Sequence, residues 1–211
     1  DFRSMMYAVI ATTPTYHDWL LFCDMQGAFA HRKRVFQILQ STNSGRWTLK
    51  MPSDAVFVDQ LFKTFPDAKV IWTHRDPYAA FASSMSMRGT SRPMFNKDVG
   101  LDYMRTRFPL QLALHLARPL EASRRRPGDF YHLYYDDLVA DPVAAMKKVY
   151  AFLGDPFTDA AETGMRAWLA ANPQGRFGAH RYALPEWGFE KKDLDPYFAD
   201  YLRVHPVAKT A

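Results

Sequence analysis

The stretch VIWTHRDPYAAFASSMS, residues 70–86, runs an apolar segment into Arg75-Asp76-Pro77 and places Ser83 eight positions after Arg75. Those residue types suit the binding of an oxyanion. A guanidinium offers a planar fork of donors that matches a phosphate, and a serine hydroxyl two turns into a following helix could add another. The start of that helix would contribute unpaired N–H groups and a partial positive charge. Asp76 is placed to cap it and Pro77 to occupy its first position. The competing reading is an arginine paired with Asp76 or another nearby acid. The residues alone leave both open.

Elements must bring such groups together. The run KVIWT, residues 69–73, is continuously apolar, as expected of a strand covered on both faces. FYHLYY, residues 130–135, reads as another strand, and RWTLK, residues 46–50, alternates Trp47 and Leu49 as a short strand would. Between and around them lie helical patterns. Residues 17–40 place Phe29, Phe36 and Leu39 on a shared face, interrupted by His31-Arg32-Lys33-Arg34. Ser53 could cap a helix whose Val58, Leu61, Phe62 and Phe65 form one stripe, ended by Pro66-Asp67. Residues 89–100, rich in Gly, Ser, Pro and Asn, predict a mobile loop. Residues 101–125 look helical but contain Pro109 and Pro119, which predicts a kinked or broken pair. Asp141-Pro142 opens a helix with Met146, Val149, Tyr150 and Leu153 on one face, and Gly154 sits where a C-terminal cap belongs. Strands alternating with helices predict an α/β fold, a central parallel sheet flanked by helices. In such sheets ligands bind beyond the C-terminal ends of the strands, where Arg75 falls.

Bulk properties narrow the classes. The 211 residues suffice for one core, so a single domain over residues 1–211 is expected. A net charge of +5 is too mild for a dedicated nucleic-acid binder, and the densest basic run, Arg124-Arg125-Arg126, reads as a solvated helix end before Pro127-Gly128. Cys23 is the single cysteine, which rules out a disulfide framework within the chain and suits a reducing, cytoplasmic setting. No apolar run approaches the ~20 residues of a membrane span. Oligomeric state is not legible.

Residues 46–86 closely resemble the bacterial branch of the sulfotransferase family, whose members use 3′-phosphoadenosine-5′-phosphosulfate (PAPS) as sulfuryl donor on a P-loop-kinase-like α/β fold. The resemblance rests on an ordered set: a Trp-x-Leu-Lys-x-Pro strand and turn, a Phe-Pro-Asp-Ala step, then Thr-His-Arg-Asp-Pro with its serine eight residues on. YYDDLVADPVAAMKKVYAFLG, residues 134–154, and the Gly-x-His-x-Tyr tail, residues 178–202, are similar to later family segments. The resemblance implies that Arg75 and Ser83 bind the 3′-phosphate, with Ser84 as the substitute for Ser83. It places Tyr135 near the adenine or ribose, and His180 and Arg181 in the segment that closes over the 3′-phosphate. The product would be adenosine 3′,5′-bisphosphate. The acceptor would be a hydroxyl or amine of a small molecule, lipid or carbohydrate, and no metal is required.

Two departures stand out. The family's phosphosulfate loop, a strand followed by a Gly- and Ser/Thr-rich turn, is not found between Asp1 and Trp47. One account is that an N-terminal strand and loop precede Asp1; the other is a relative that has lost the donor loop and only binds. The intact remainder of the pattern favours the first. The second departure is Asp54, where relatives commonly carry histidine near the place of the general base. A carboxylate can serve as that base if its pKa is raised, or it is simply an acid favoured in a helix's first turn. His17 and His31 are alternative bases. Lys50 could stabilise the transferring sulfuryl oxygens, or be a solvated strand end. A nucleotide kinase would need a Walker-type loop and magnesium-binding carboxylates, and the chain displays neither.

Overall fold

The computed structural model describes residues 3–207 except 174, 177 and 179–181. Its centre is a two-stranded parallel sheet, β1 (Val70–His74) beside β2 (Phe130–Tyr134), in register from Val70 opposite Phe130 to His74 opposite Tyr134. Side chains alternate across a strand, and the sheet uses both faces. Val70, Trp72 and Phe130 pack with Val58 and Phe62 of α4 (Val58–Thr64) and Ala122 of α6 (Leu101–Arg125). Ile71, Tyr131 and Leu133 pack on the other side with Ala145, Met146 and Val149 of α8 (Pro142–Leu153). Both strands are therefore mostly apolar, with Thr73, His74 and His132 as the exceptions, as a covered parallel sheet requires.

The strands are joined by α5 (Pro77–Ser91) and α6. Asp76 and Pro77 start α5 as expected, with Asp76 Oδ1 accepting from the Tyr78 N–H at 3.0 Å. Asp141 caps α8 through the Ala144 N–H at 2.9 Å, and Gly154 ends it at φ 70°, a left-handed conformation that favours glycine. After β2 come α7 (Tyr135–Ala140), α8, α9 (Asp159–Ala171) and α10 (Lys191–Val204). The largest core cluster joins Phe81 and Met85 of α5, Met104 and Phe108 of α6, and Leu194 and Phe198 of α10. The N-terminal part is helical: α1 (Met5–Ile10), α2 (Pro14–Phe22) and α3 (Gln26–Gln40).

Four local expectations are corrected. The helix read over residues 17–40 is two, because Asp24 Oδ1 accepts from the Gln26 N–H at 2.8 Å and opens a new helix. Ser53 starts no α-helix; Pro52–Ala55 is one 3₁₀ turn, and α4 begins at Val58. Residues 46–50 are exposed and lack a strand neighbour among the described residues. They are held instead by Arg46 on Asp155 at 2.7 Å and by Trp47 stacked on Phe36 at 4.8 Å. Residues 101–125 form one unbroken helix despite Pro109 and Pro119, both buried. Each proline costs about 3 kcal/mol, a cost offset by the Met104, Phe108 and Leu120 side chains buried along the helix at roughly 2 kcal/mol apiece.

Residues 89–100 also gain fixed partners. Arg92 is fully buried and donates to the Ala11 carbonyl at 3.0 Å and to those of Ala8 and Val9 at 3.4 Å. Among the described residues no helix is long and apolar enough to cross a membrane.

Candidate functional site

The last residues of the two strands, His74 and Tyr134, face each other, and the chain turns outward after both. A cavity of about 270 Å³ opens there. One wall is Arg75 and Asp76 after β1; the opposite wall is Tyr135, Asp136 and Asp137 after β2; Pro206 and Val207 close it beyond α10. This is the position at which open parallel sheets bind ligands.

Arg75 is held without an ion-pair partner among the described residues. One Nη2 hydrogen is donated to the Tyr182 hydroxyl at 2.7 Å, and the guanidinium carbon lies 4.9 Å from the Tyr135 ring centroid. Its Nε is buried and has no hydrogen-bond partner. The alternative pairing with Asp76 is not made, because that carboxylate caps α5. Asp136 and Asp137 are exposed, so solvent screens them.

Beneath the cavity the sheet pattern produces a feature that no spacing announced. Trp72 and His74 on β1 share a face with Phe130 and His132 on β2, and α10 covers that face with Tyr201 and the following His205. His74 shares hydrogen bonds with His132 (2.8 Å) and the Tyr201 hydroxyl (2.9 Å), and His205 with the Tyr134 hydroxyl (3.0 Å). One ring nitrogen from each histidine lies within 4.8 Å of the others. His74 and His205, however, stack at 4.0 Å with their planes 23° apart. Imidazole lone pairs lie in the ring plane, so near-parallel stacked rings do not converge on one ion. Burial, reinforced by neighbouring imidazoles, lowers the His74 pKa to about 3 and that of His205 to about 4, and burial lowers His132 as well. The stack is neutral at pH 7.

The other described candidates, Ser83, Ser84, Lys50, Asp54, His17 and His31, are not among the residues that line this cavity. Ser83 sits half-buried about 9 Å along α5 from Pro77 and does not line the cavity. Ser84 accepts a hydrogen bond from Arg88. Lys50 is exposed at the end of the extended segment. Asp54, in the 3₁₀ turn, accepts from Arg32 Nη1 on both carboxylate oxygens at 2.9 Å. Burial raises its pKa, and the Arg32 bond opposes that rise. His17 has no exposed surface, shares a 2.9 Å hydrogen bond with Tyr103, and is pushed down to about 4 by burial, while His31 is exposed. His180 and Arg181 lie outside the described residues. The structure thus unites Arg75 with Tyr135 and adds Tyr182, which sequence reasoning missed. Its only signal was its place in the Gly-x-His-x-Tyr pattern.

These features meet a clear pattern of similarity. A family model described as "Sulfotransferase family" matches residues 1–159. The chain belongs to that family. It is 31% identical over 177 residues to the omega-hydroxy-beta-dihydromenaquinone-9 sulfotransferase Stf3 of Mycobacterium bovis and of Mycobacterium tuberculosis, covering 75% of this chain and 44% of each relative. Among solved structures, sulfotransferase STF9 from Mycobacterium avium superposes with a TM-score of 0.89 at 36% identity, over 98% of this chain and 54% of that one. STF1 from Mycobacterium tuberculosis gives 0.74 at 28% identity, over 94% and 52%. The parallel sheet and its helices are thus consistent with the sulfotransferase fold, and the chain spans about half the length of these relatives.

Proposed function

We propose that this chain takes part in PAPS-dependent sulfuryl transfer and supplies the 3′-phosphate site of the donor nucleotide. The observation that carries the reading is Arg75: a guanidinium without a counter-ion among the described residues, facing a cavity at the strand ends. An arginine fork favours a phosphate. The Tyr135 ring offers a face to the adenine or ribose, and the Asp136 and Asp137 carboxylates suit sugar hydroxyls better than phosphate oxygens. In this reading Ser83 joins Arg75 on the phosphate, and His180 and Arg181 close over it.

Sulfuryl transfer proceeds by in-line attack through a loose transition state, so positioning and electrostatics supply most of the catalysis. Asp54 would take the proton from the acceptor hydroxyl or amine, helped by the burial that raises its pKa. Lys50 would stabilise the sulfuryl oxygens. The curated relatives are named for an omega-hydroxy-beta-dihydromenaquinone-9 acceptor, which supports a hydroxyl-bearing lipid among the small-molecule, lipid and carbohydrate acceptors.

One observation favours a second, non-catalytic reading: both Asp54 oxygens are occupied by Arg32. Calorimetric titration with adenosine 3′,5′-bisphosphate, against adenosine 5′-monophosphate, tests nucleotide recognition first. A charge-assisted hydrogen bond to the 3′-phosphate contributes about 1.5–3 kcal/mol, a preference of roughly 10- to 100-fold. Equal affinity would overturn the nucleotide reading. Preference without sulfuryl transfer from PAPS to any hydroxyl acceptor would leave the binding-only reading.

A further inference from the structure

We propose that Tyr182 is a positioning residue for the 3′-phosphate site, holding the Arg75 guanidinium in its binding geometry before the nucleotide arrives. The proposal rests on the nucleotide reading above. Its physical basis is the cost of ordering a long side chain. An arginine free to sample rotamers loses that freedom on binding, at the expense of affinity. Arg75 is restrained from two sides. The Tyr135 ring supports one face of the guanidinium at 4.9 Å, and the Tyr182 oxygen accepts from Nη2 at 2.7 Å. Only one of the five donors of the fork is taken by this bond, and the buried Nε still lacks a partner. A phosphate oxygen can therefore be received without breaking the tyrosine contact.

Tyr182 can do this because it is itself fixed. Its ring packs against the largest core cluster, beside Leu184. The next residue is tied locally, the Ala183 N–H donating to Glu186 at 3.3 Å, and a 3₁₀ turn follows over Leu184–Trp187. The contact thus connects the core under α5, α6 and α10 to an arginine 107 positions away in the chain. Tyr135 alone would leave the fork free to rotate over the ring, since a cation over a π-face has no directional preference within the plane. The hydroxyl supplies the missing direction. A purely structural role would have Tyr182 matter through its ring, whereas a positioning role assigns the effect to one oxygen atom.

The test is the ratio of the 5′-monophosphate Kd to the 3′,5′-bisphosphate Kd, measured by calorimetry on the full chain and on Tyr182→Phe. Removing the oxygen while keeping the ring should lower that ratio about tenfold, with 5′-monophosphate affinity and melting temperature unchanged. Arg75→Met and the Tyr182→Phe/Arg75→Met double variant complete the cycle. With Arg75 gone, Tyr182→Phe should change the ratio no further. A Tyr182→Phe chain that keeps the parent's bisphosphate preference overturns the role of Tyr182 and leaves the nucleotide reading intact. A full effect of Tyr182→Phe persisting in the Arg75→Met background overturns it also, since the hydroxyl would then act independently of Arg75. A parent chain with no bisphosphate preference overturns both readings together.

Discussion

The stacked histidines make the fold sensitive to acid. His74, with no exposed surface, and His205, 5% exposed, are neutral in the folded state, with pKa values lowered to about 3 and about 4. In the unfolded chain both return to about 6.5. Below that value the unfolded state binds more protons than the folded state, so stability falls as pH falls. The loss continues until the folded-state rings themselves protonate near pH 3–4. At pH 5 each of the two imidazoles costs about 2 kcal/mol relative to pH 7, hence about 4 kcal/mol for the pair. His17, also lowered to about 4, adds about 2 kcal/mol more from its own buried site. A domain of ordinary stability, roughly 5–15 kcal/mol, would lose a large part of its margin. The positive charge of Arg124 acts against protonation of His205, and the Tyr134 and Tyr201 hydroxyls face the stack as neutral partners.

Urea unfolding followed by tryptophan fluorescence measures the loss, because Trp72 packs 5.4 Å from the His205 ring. His205→Phe keeps a stacked ring and removes one titrating group. Whatever its effect on absolute stability, it should reduce the slope of stability against pH between 6 and 5 by about one proton, or about 1.4 kcal/mol per pH unit. An unchanged slope in the variant, or a parent chain equally stable at pH 7 and pH 5, would show that the histidine stack does not govern acid stability.

Other substitutions probe the rest of the account. Arg75→Met should abolish the preference for adenosine 3′,5′-bisphosphate, a loss of roughly 10- to 100-fold by calorimetry, while 5′-monophosphate binding is retained. Arg32→Gln leaves a half-buried Asp54 carboxylate without its partner; it should cost about 2 kcal/mol in urea unfolding, and carbon NMR should place the Asp54 titration at higher pH than in the parent. Arg92→Leu removes a buried guanidinium that donates to the carbonyls of Ala8, Val9 and Ala11. It should destabilise the chain by about 3 kcal/mol, seen as a lower melting temperature and faster amide exchange in α1.

Legibility in the sequence followed how local each determinant is. β1 and β2 could be read because both faces are covered, which leaves two short runs rich in apolar and aromatic residues. The starts of α5 and α8 could be read because Asp76-Pro77 and Asp141-Pro142 act through hydrogen bonds two or three residues long. Residues 46–50 could not, since alternation describes a strand's side chains and says nothing of whether a neighbour pairs with it. The prolines of α6 misled for a similar reason: the local penalty is visible in sequence, and the burial that offsets it is tertiary. At the site, Arg75 was legible from its junction. Tyr182 and the histidine stack were not, because their hydrogen-bond partners lie 58 to 127 positions away.

On the proposed reading, the cavity at the strand ends receives the 3′-phosphate of a nucleotide. A crystal structure of the chain with adenosine 3′,5′-bisphosphate tests it most directly. The 3′-phosphate should lie within hydrogen-bond distance of the Arg75 guanidinium, with Tyr182 still on Nη2 and the base or ribose against Tyr135. A nucleotide bound elsewhere, or bound in this cavity with its 3′-phosphate turned away from Arg75, would contradict it.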